Sequence, residues 1–158
     1  MQIIQQLHDF CIEKKISIAT AESCTAGSIA SEISSISGAS SFFKSGVISY
    51  QNSIKITTLG VLESVIRERT EVCKEVVEQM AQAARKKLLA DFTIATSGYA
   101  GPKGGTELNP VGTVFIAISS AEKTVSRRYF FLGDRHSVVK QAVITGISFL
   151  VEELKNQS

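Results

Sequence analysis

Metal-ligating residues are scarce and scattered in this chain. Its three cysteines, Cys11, Cys24 and Cys73, stand far apart, histidine occurs twice, and there is no CxxC pair. That pattern excludes zinc sites and disulfide frameworks of the usual spacings. An odd set of unpaired thiols suits a reducing cytoplasm. A strong charge of one sign is also missing. The net charge is +2, and no basic run exceeds Arg85-Lys86-Lys87 or Arg127-Arg128. This is too little to argue for a nucleic-acid partner. The start, MQIIQQLHDF, has neither the basic beginning nor the long apolar core of a secretory leader. No apolar run approaches the length of a membrane span. Internal repeats and low-complexity linkers are absent too. The expectation is one cytoplasmic domain over residues 1–158, with no membrane or nucleic-acid partner.

What the chain does contain is a regular alternation of patterns. Ile3, Ile4, Leu7, Phe10 and Cys11 repeat at helical spacing and predict an opening helix, with His8 on its surface. A strand over 16–19 leads into the turn TAESCTAG (20–27) and a helix near 27–35. FFKSGVISY (42–50) reads as a second strand, and its Gly46 predicts a bulge or a close backbone approach. Short helices over 51–59 and 62–69 follow, broken by Gly60. Residues 71–90 give the longest helical pattern, with Val72, Val76, Val77, Met80, Ala84 and Leu88 as its apolar stripe. A strand over 92–97 precedes the glycine-rich loop GYAGPKGGTELNP (98–110). Strands over 111–119 and 124–132 form a hairpin around SAEK, and a helix led by Gly133-Asp134-Arg135 closes the chain. Helix–strand alternation with a closing antiparallel pair predicts a three-layer α/β/α sandwich around a mixed, mostly parallel sheet of about five strands. Gly146, inside the last helix's stripe, permits close helix packing, either within the chain or between copies.

Three places can carry chemistry. In TAESCTAG a strand gives way to a helix through small residues, which gathers backbone N–H groups at the positive end of the helix dipole. Ser23 could attack a carbonyl there, with nearby amides holding the oxyanion. The competing reading is that Ser23 and Thr25 merely cap the helix. No glycines flank Ser23 as in the GxSxG elbow, so an α/β-hydrolase is unsupported. Cys24 is the rival nucleophile, but both histidines are poor partners for it, His136 being expected in solvent. Burial as a small apolar side chain fits Cys24 better. The second place is the 98–110 loop at a strand's carboxyl end, which lets a ligand approach the backbone closely or is simply a long surface loop. It is not a Walker loop, since no GK[ST] follows. The third is Tyr50 with Lys55, a proton relay and general base if desolvated together. Arg135 suits a phosphate or carboxylate clamp, or with Asp134 serves only to cap the last helix.

Together, ATAESCTAG (19–27), SGVISYQNSIKITTLGV (45–61), SGYAGPKGG (97–105), NPVGTV (109–114) and GDR (133–135) resemble, in order, the CinA C-terminal domain family of nicotinamide-nucleotide amidohydrolases. The resemblance implies hydrolysis of the carboxamide of nicotinamide mononucleotide to nicotinic acid mononucleotide and ammonia, in pyridine nucleotide recycling. It implies a serine nucleophile, no metal, no cofactor and a homodimer. Carried over by position, Ser23 attacks, while Tyr50 and Lys55 activate it and pass a proton to ammonia. Thr25, Ser97, Gly98, Gly101, Gly104, Gly105 and Arg135 hold the nucleotide, Arg135 by its phosphate. The alternatives are a catalytically silent nucleotide-binding or partner-docking domain, or an amidase for a different amide. The chain departs from the family pattern at Ala26, where a second glycine is usual, and at Tyr99, where a branched aliphatic is common. It departs most in RTEVCKEVV (69–77), where members often carry Gly-Ala-Val-Ser.

Overall fold

The computed structural model describes residues 2–157; Met1 and Ser158 lie outside the described residues. Helix α1 (Gln2–Lys14) precedes strand β1 (Ile18–Glu22) and the short helix α2 (Ser28–Ile33). Strand β2 (Phe43–Ile48), helices α3 (Asn52–Leu59), α4 (Glu63–Arg69) and α5 (Lys74–Leu88), and strand β3 (Phe92–Gly98) follow. The hairpin of β4 (Thr113–Ser119) and β5 (Thr124–Phe130) then leads to α6 (Arg135–Asn156).

The five strands form one sheet in the order β2-β1-β3-β4-β5. β1 pairs in parallel with β2 and β3, whereas β4 runs antiparallel to both β3 and β5. The sheet is mixed as expected, with the antiparallel region one pairing wider than the closing hairpin alone. β1 and β3 are buried almost throughout. That explains why their sequences run small or apolar without alternation.

Register sets the thickness of each layer. Ala21, Ala95 and Ala117 stand side by side across β1, β3 and β4. This row of small side chains meets Val76, Val77, Met80, Ala81 and Ala84 of α5. The opposite face carries Ile94 and Ile116 against α6. There a Cβ on Gly146 would come within 3.0 Å of Ile94 Cδ1, so this glycine packs inside the chain. Gly46 is likewise explained: it lies opposite Thr20, and a side chain there would collide with Thr20 Oγ1.

One sequence expectation fails in the first layer. His8 is buried, not exposed: its Nε2 lies 2.8 Å from the Ile33 carbonyl, and its ring meets Phe42 edge-on. A carbonyl can only accept, so Nε2 carries the proton. His8 thus satisfies one of the orphan acceptors at the end of α2.

Candidate active site

The carboxyl ends of the parallel strands β2, β1 and β3 point toward one cavity of about 200 Å³, where open α/β sheets place their ligand sites. Each element delivers a side chain. β1 runs into Ser23 and Cys24, and β3 into Ser97, Gly98 and the 99–101 loop. α3 supplies Asn52 and Lys55, the α4–α5 connection Glu71, and the first residue of α6 Arg135; Tyr50, Ala100 and Lys103 complete the wall.

The turn that presents Ser23 is held by an acid the sequence reading did not single out. Glu22 is fully buried. One of its carboxylate oxygens accepts from Thr25 Oγ1 at 2.6 Å and from the Ile29 amide at 2.8 Å, and the other accepts from the Ala30 amide at 3.1 Å. Thr25 spends its only hydroxyl proton on Glu22, so the Thr96 hydroxyl, 2.8 Å away, donates to Thr25. The start of α2 is therefore neutralised from within by Glu22, and an external oxyanion must find its donors elsewhere. The Ser23 amide is also committed, donating to the Thr96 carbonyl at 3.1 Å. The Ser23 hydroxyl has no hydrogen-bond partner among the described residues and lines the cavity.

The turn is strained. Ala26 and Gly27 both have positive φ, 47° and 93°. A glycine adopts this region freely, whereas an alanine there costs roughly 1–2 kcal/mol. Thr70, at the entrance to the α4–α5 connection, sits at φ 69° and ψ 173°, which suits a β-branched residue still less.

Lys55 is completely buried and donates through Nζ to the Tyr50 carbonyl at 3.0 Å. Burial holds its ammonium below the ordinary lysine range, with Glu71 and then Cys24 pulling the other way. A lysine lowered in this manner gives up its proton more readily than an ordinary one and can then serve as a base. Cys24 is the reverse case. Burial pushes its thiol up to about 12, so the thiolate is scarce at physiological pH.

Arg135 ties two segments across the mouth. Its Nη1 donates to the Gly101 carbonyl at 2.7 Å and its Nη2 to the Tyr50 hydroxyl oxygen at 2.6 Å. Asp134, in contrast, accepts from the Ser137 amide at 2.9 Å, so the capping of α6 falls to Asp134 and not to Arg135.

A larger, more open cavity of about 820 Å³ lies beyond Thr70 and includes Arg69, Cys73, Leu108, Asn109, Phe115 and Arg128. Burial raises the Cys73 thiol, and Arg128 is engaged with Asn109 and Leu108. None of the described residues lining it is an activated nucleophile, which makes the smaller cavity the better candidate.

The CinA C-terminal domain model matches residues 1–154. The chain belongs to the CinA C-terminal domain family. It is 42% identical over 147 residues to a CinA-like protein of Flavobacterium psychrophilum, covering 92% of this chain and 35% of that relative. Against the nicotinamide-nucleotide amidohydrolase PncC of Escherichia coli it is 37% identical over 154 residues, covering 97% and 93% of the two chains. The chain thus spans about a third of the length of several CinA-like relatives and nearly the whole of the shorter amidohydrolase. The crystal structure of the competence damage-inducible protein A from Klebsiella pneumoniae superposes with a TM-score of 0.96 at 30% identity, covering 99% and 98%.

Of the residues that the family motifs pointed to, Ser23, Tyr50, Lys55, Ser97, Gly98, Gly101 and Arg135 meet at the cavity. Thr25, Gly104 and Gly105 do not line it. Thr25 is locked to Glu22 and Thr96, Gly104 backs the Tyr99 ring, and Gly105 lies against Pro110 and Val111. Ser97 lines the wall while its hydroxyl donates to the Glu71 carbonyl at 2.7 Å. Tyr99 also lines the cavity, and its hydroxyl is 3.5 Å from Thr70 Oγ1. Asn52, Glu71 and Lys103 were not singled out from the sequence. Asn52 and Lys103 stand inside quoted motifs, and Glu71 lies in the segment that departs from the CinA pattern.

Proposed function

We propose that this chain hydrolyses the carboxamide of nicotinamide mononucleotide, releasing ammonia and nicotinic acid mononucleotide, with Ser23 as nucleophile. The observation that carries this reading is a hydroxyl without a partner and a desolvated lysine lining one cavity. The substrate comes from the amidohydrolase name of the E. coli relative, which the chain matches along nearly its whole length.

In this mechanism, neutral Lys55 takes the Ser23 proton as Oγ attacks the amide carbon. Backbone groups of the 98–101 loop receive the developing oxyanion, since Glu22 already occupies the start of α2. The C–N bond then breaks, and the proton held by Lys55, or one relayed by the Tyr50 hydroxyl, leaves on ammonia. Water attacks the resulting ester, returns a proton to Ser23 and frees the carboxylate. A cavity of about 200 Å³ is small for a whole nucleotide. It takes the ring and ribose, and the phosphate meets Arg135 and Lys103 at the rim.

The test is ammonia release from nicotinamide mononucleotide, nicotinamide, nicotinamide riboside and pterin-like amides. Turnover strongly favouring the mononucleotide supports the proposal. Saturable binding of the mononucleotide with no ammonia would replace it with the silent nucleotide-binding domain. A preference for another amide would replace the substrate.

A further inference from the structure

The segment 69–77, where the chain departs most from the family pattern, contributes one side chain to the cavity wall, and it is an acid. Glu71 is the only carboxylate among the residues that line this cavity. Its backbone is fixed from several sides. Ser97 Oγ donates to the Glu71 carbonyl at 2.7 Å, Asn109 Nδ2 donates to the Val72 carbonyl at 3.2 Å, and the Thr70 amide donates to the Ile66 carbonyl at 2.9 Å. The half-buried carboxylate itself accepts no hydrogen bond and forms no contact ion pair among the described residues. Lys55 lines the same cavity, and its Nζ is bound to a single acceptor among the described residues, the Tyr50 carbonyl.

Every other titratable or charged group on the same wall can be set aside as the source of a negative field at Lys55. Cys24, from the turn after β1, is a protonated thiol. Tyr50, from the connection leading into α3, accepts from Arg135, and the Arg135 guanidinium at the start of α6 is committed to Tyr50 and Gly101. From the loop after β3, Lys103 brings a basic side chain and Tyr99 a phenol whose hydroxyl lies 3.5 Å from Thr70 Oγ1. Of the acids on neighbouring elements, Glu22 is taken up by Thr25 and the α2 amides, Glu75 pairs with Arg69 and Glu78 accepts from Ser126, which leaves Glu71 as the one carboxylate lining the cavity.

We propose that Glu71, the one carboxylate lining the cavity it shares with Lys55, is a positioning residue that favours the protonated lysine and so sets the pH above which Lys55 is free to act as a base. Burial penalises the ammonium, and a carboxylate lining the same small cavity offsets part of that penalty. A small residue at this position supplies no such field, so the divergent segment moves the working pH of the site upward.

The substrate-free test follows the Lys55 side-chain ¹³Cε signal through a pH titration, the signal being assigned by its loss in Lys55→Met. The wild-type chain is compared with Glu71→Gln, Glu71→Ala and Glu71→Asp. The midpoint should fall in the Gln and Ala variants and return most of the way in the Asp variant. An unchanged midpoint in Glu71→Gln, which preserves shape, overturns the proposal. The kinetic arm rests on the amide-hydrolase reading: the acidic limb of ammonia release from nicotinamide mononucleotide should move down in pH by the same amount. A shifted titration without any ammonia release leaves the role of Glu71 standing and removes the hydrolase reading. Ammonia release with an unshifted titration does the opposite.

Discussion

Replacing Glu22 with Gln should loosen the nucleophile turn through one atom. The wild-type carboxylate is fully buried and accepts three hydrogen bonds, from Thr25 Oγ1, the Ile29 amide and the Ala30 amide, at 2.6, 2.8 and 3.1 Å. Gln keeps one acceptor oxygen for Thr25 and Ile29. Its NH2 group then faces the Ala30 N–H, donor against donor. Losing a hydrogen bond to a charged group costs about 1.5–3 kcal/mol, and weakening the other two to neutral acceptors adds about 0.5 kcal/mol each. Removing a buried charge returns part of that sum, which leaves a net loss of about 2–3 kcal/mol. For a chain of this size each kcal/mol moves Tm by about 2–4 °C, so the expected shift is about 5–10 °C downward. The chain has no tryptophan, so urea unfolding is best followed by far-UV circular dichroism, with the exposed Glu63→Gln as control. A Glu22→Gln change within 0.5 kcal/mol of the control, on the order of a neutral surface substitution, would refute the claim that Glu22 holds the turn.

Other substitutions probe the remaining parts of the site. Ala26→Gly should raise stability by about 0.5–1 kcal/mol in urea unfolding, because relief of the positive φ exceeds the extra entropy of the unfolded glycine. Lys55→Met should be at least as stable as wild type at pH 7, and its advantage should shrink as pH rises toward 10. Burial lowers Lys55 from its ordinary value of 10.5; between its folded and unfolded values the unfolded chain binds more protons, so wild-type stability climbs with pH in that window. Arg135→Ala should raise the KM for the mononucleotide roughly 10- to 100-fold by freeing Tyr50 and the Gly101 loop and removing a phosphate contact. Arg135→Lys should recover little of this, because one ammonium cannot reproduce both hydrogen bonds.

The sandwich was readable because each element announced its period: the α5 stripe, the unbroken small-residue strands and the hairpin around SAEK all appear where expected. Gly46 was legible as a close approach, since a strand glycine has few other uses. Glu22 was not, because it caps α2 from six residues before the helix begins and capping patterns are sought next to the helix start. His8 misled for a related reason. Its partner is the Ile33 carbonyl, 25 residues away, and no local pattern signals a buried polar side chain satisfied at such separation. The meeting of Ser23, Tyr50, Lys55 and Arg135 was legible only through the family motifs, as nothing local to Arg135 points to Tyr50. Glu71 sat in a segment marked as divergent, but its place on the cavity wall depends on how the α4–α5 connection is pinned by Ser97 and Asn109.

The most direct test of the central claim is ammonia production from saturating nicotinamide mononucleotide by wild type, Ser23→Ala and Cys24→Ala. Ser23→Ala should lose roughly a thousandfold or more of kcat, while Cys24→Ala, which removes only a buried protonated thiol, should retain activity within about tenfold. Turnover that survives loss of Ser23, or that disappears with Cys24 alone, would contradict the account.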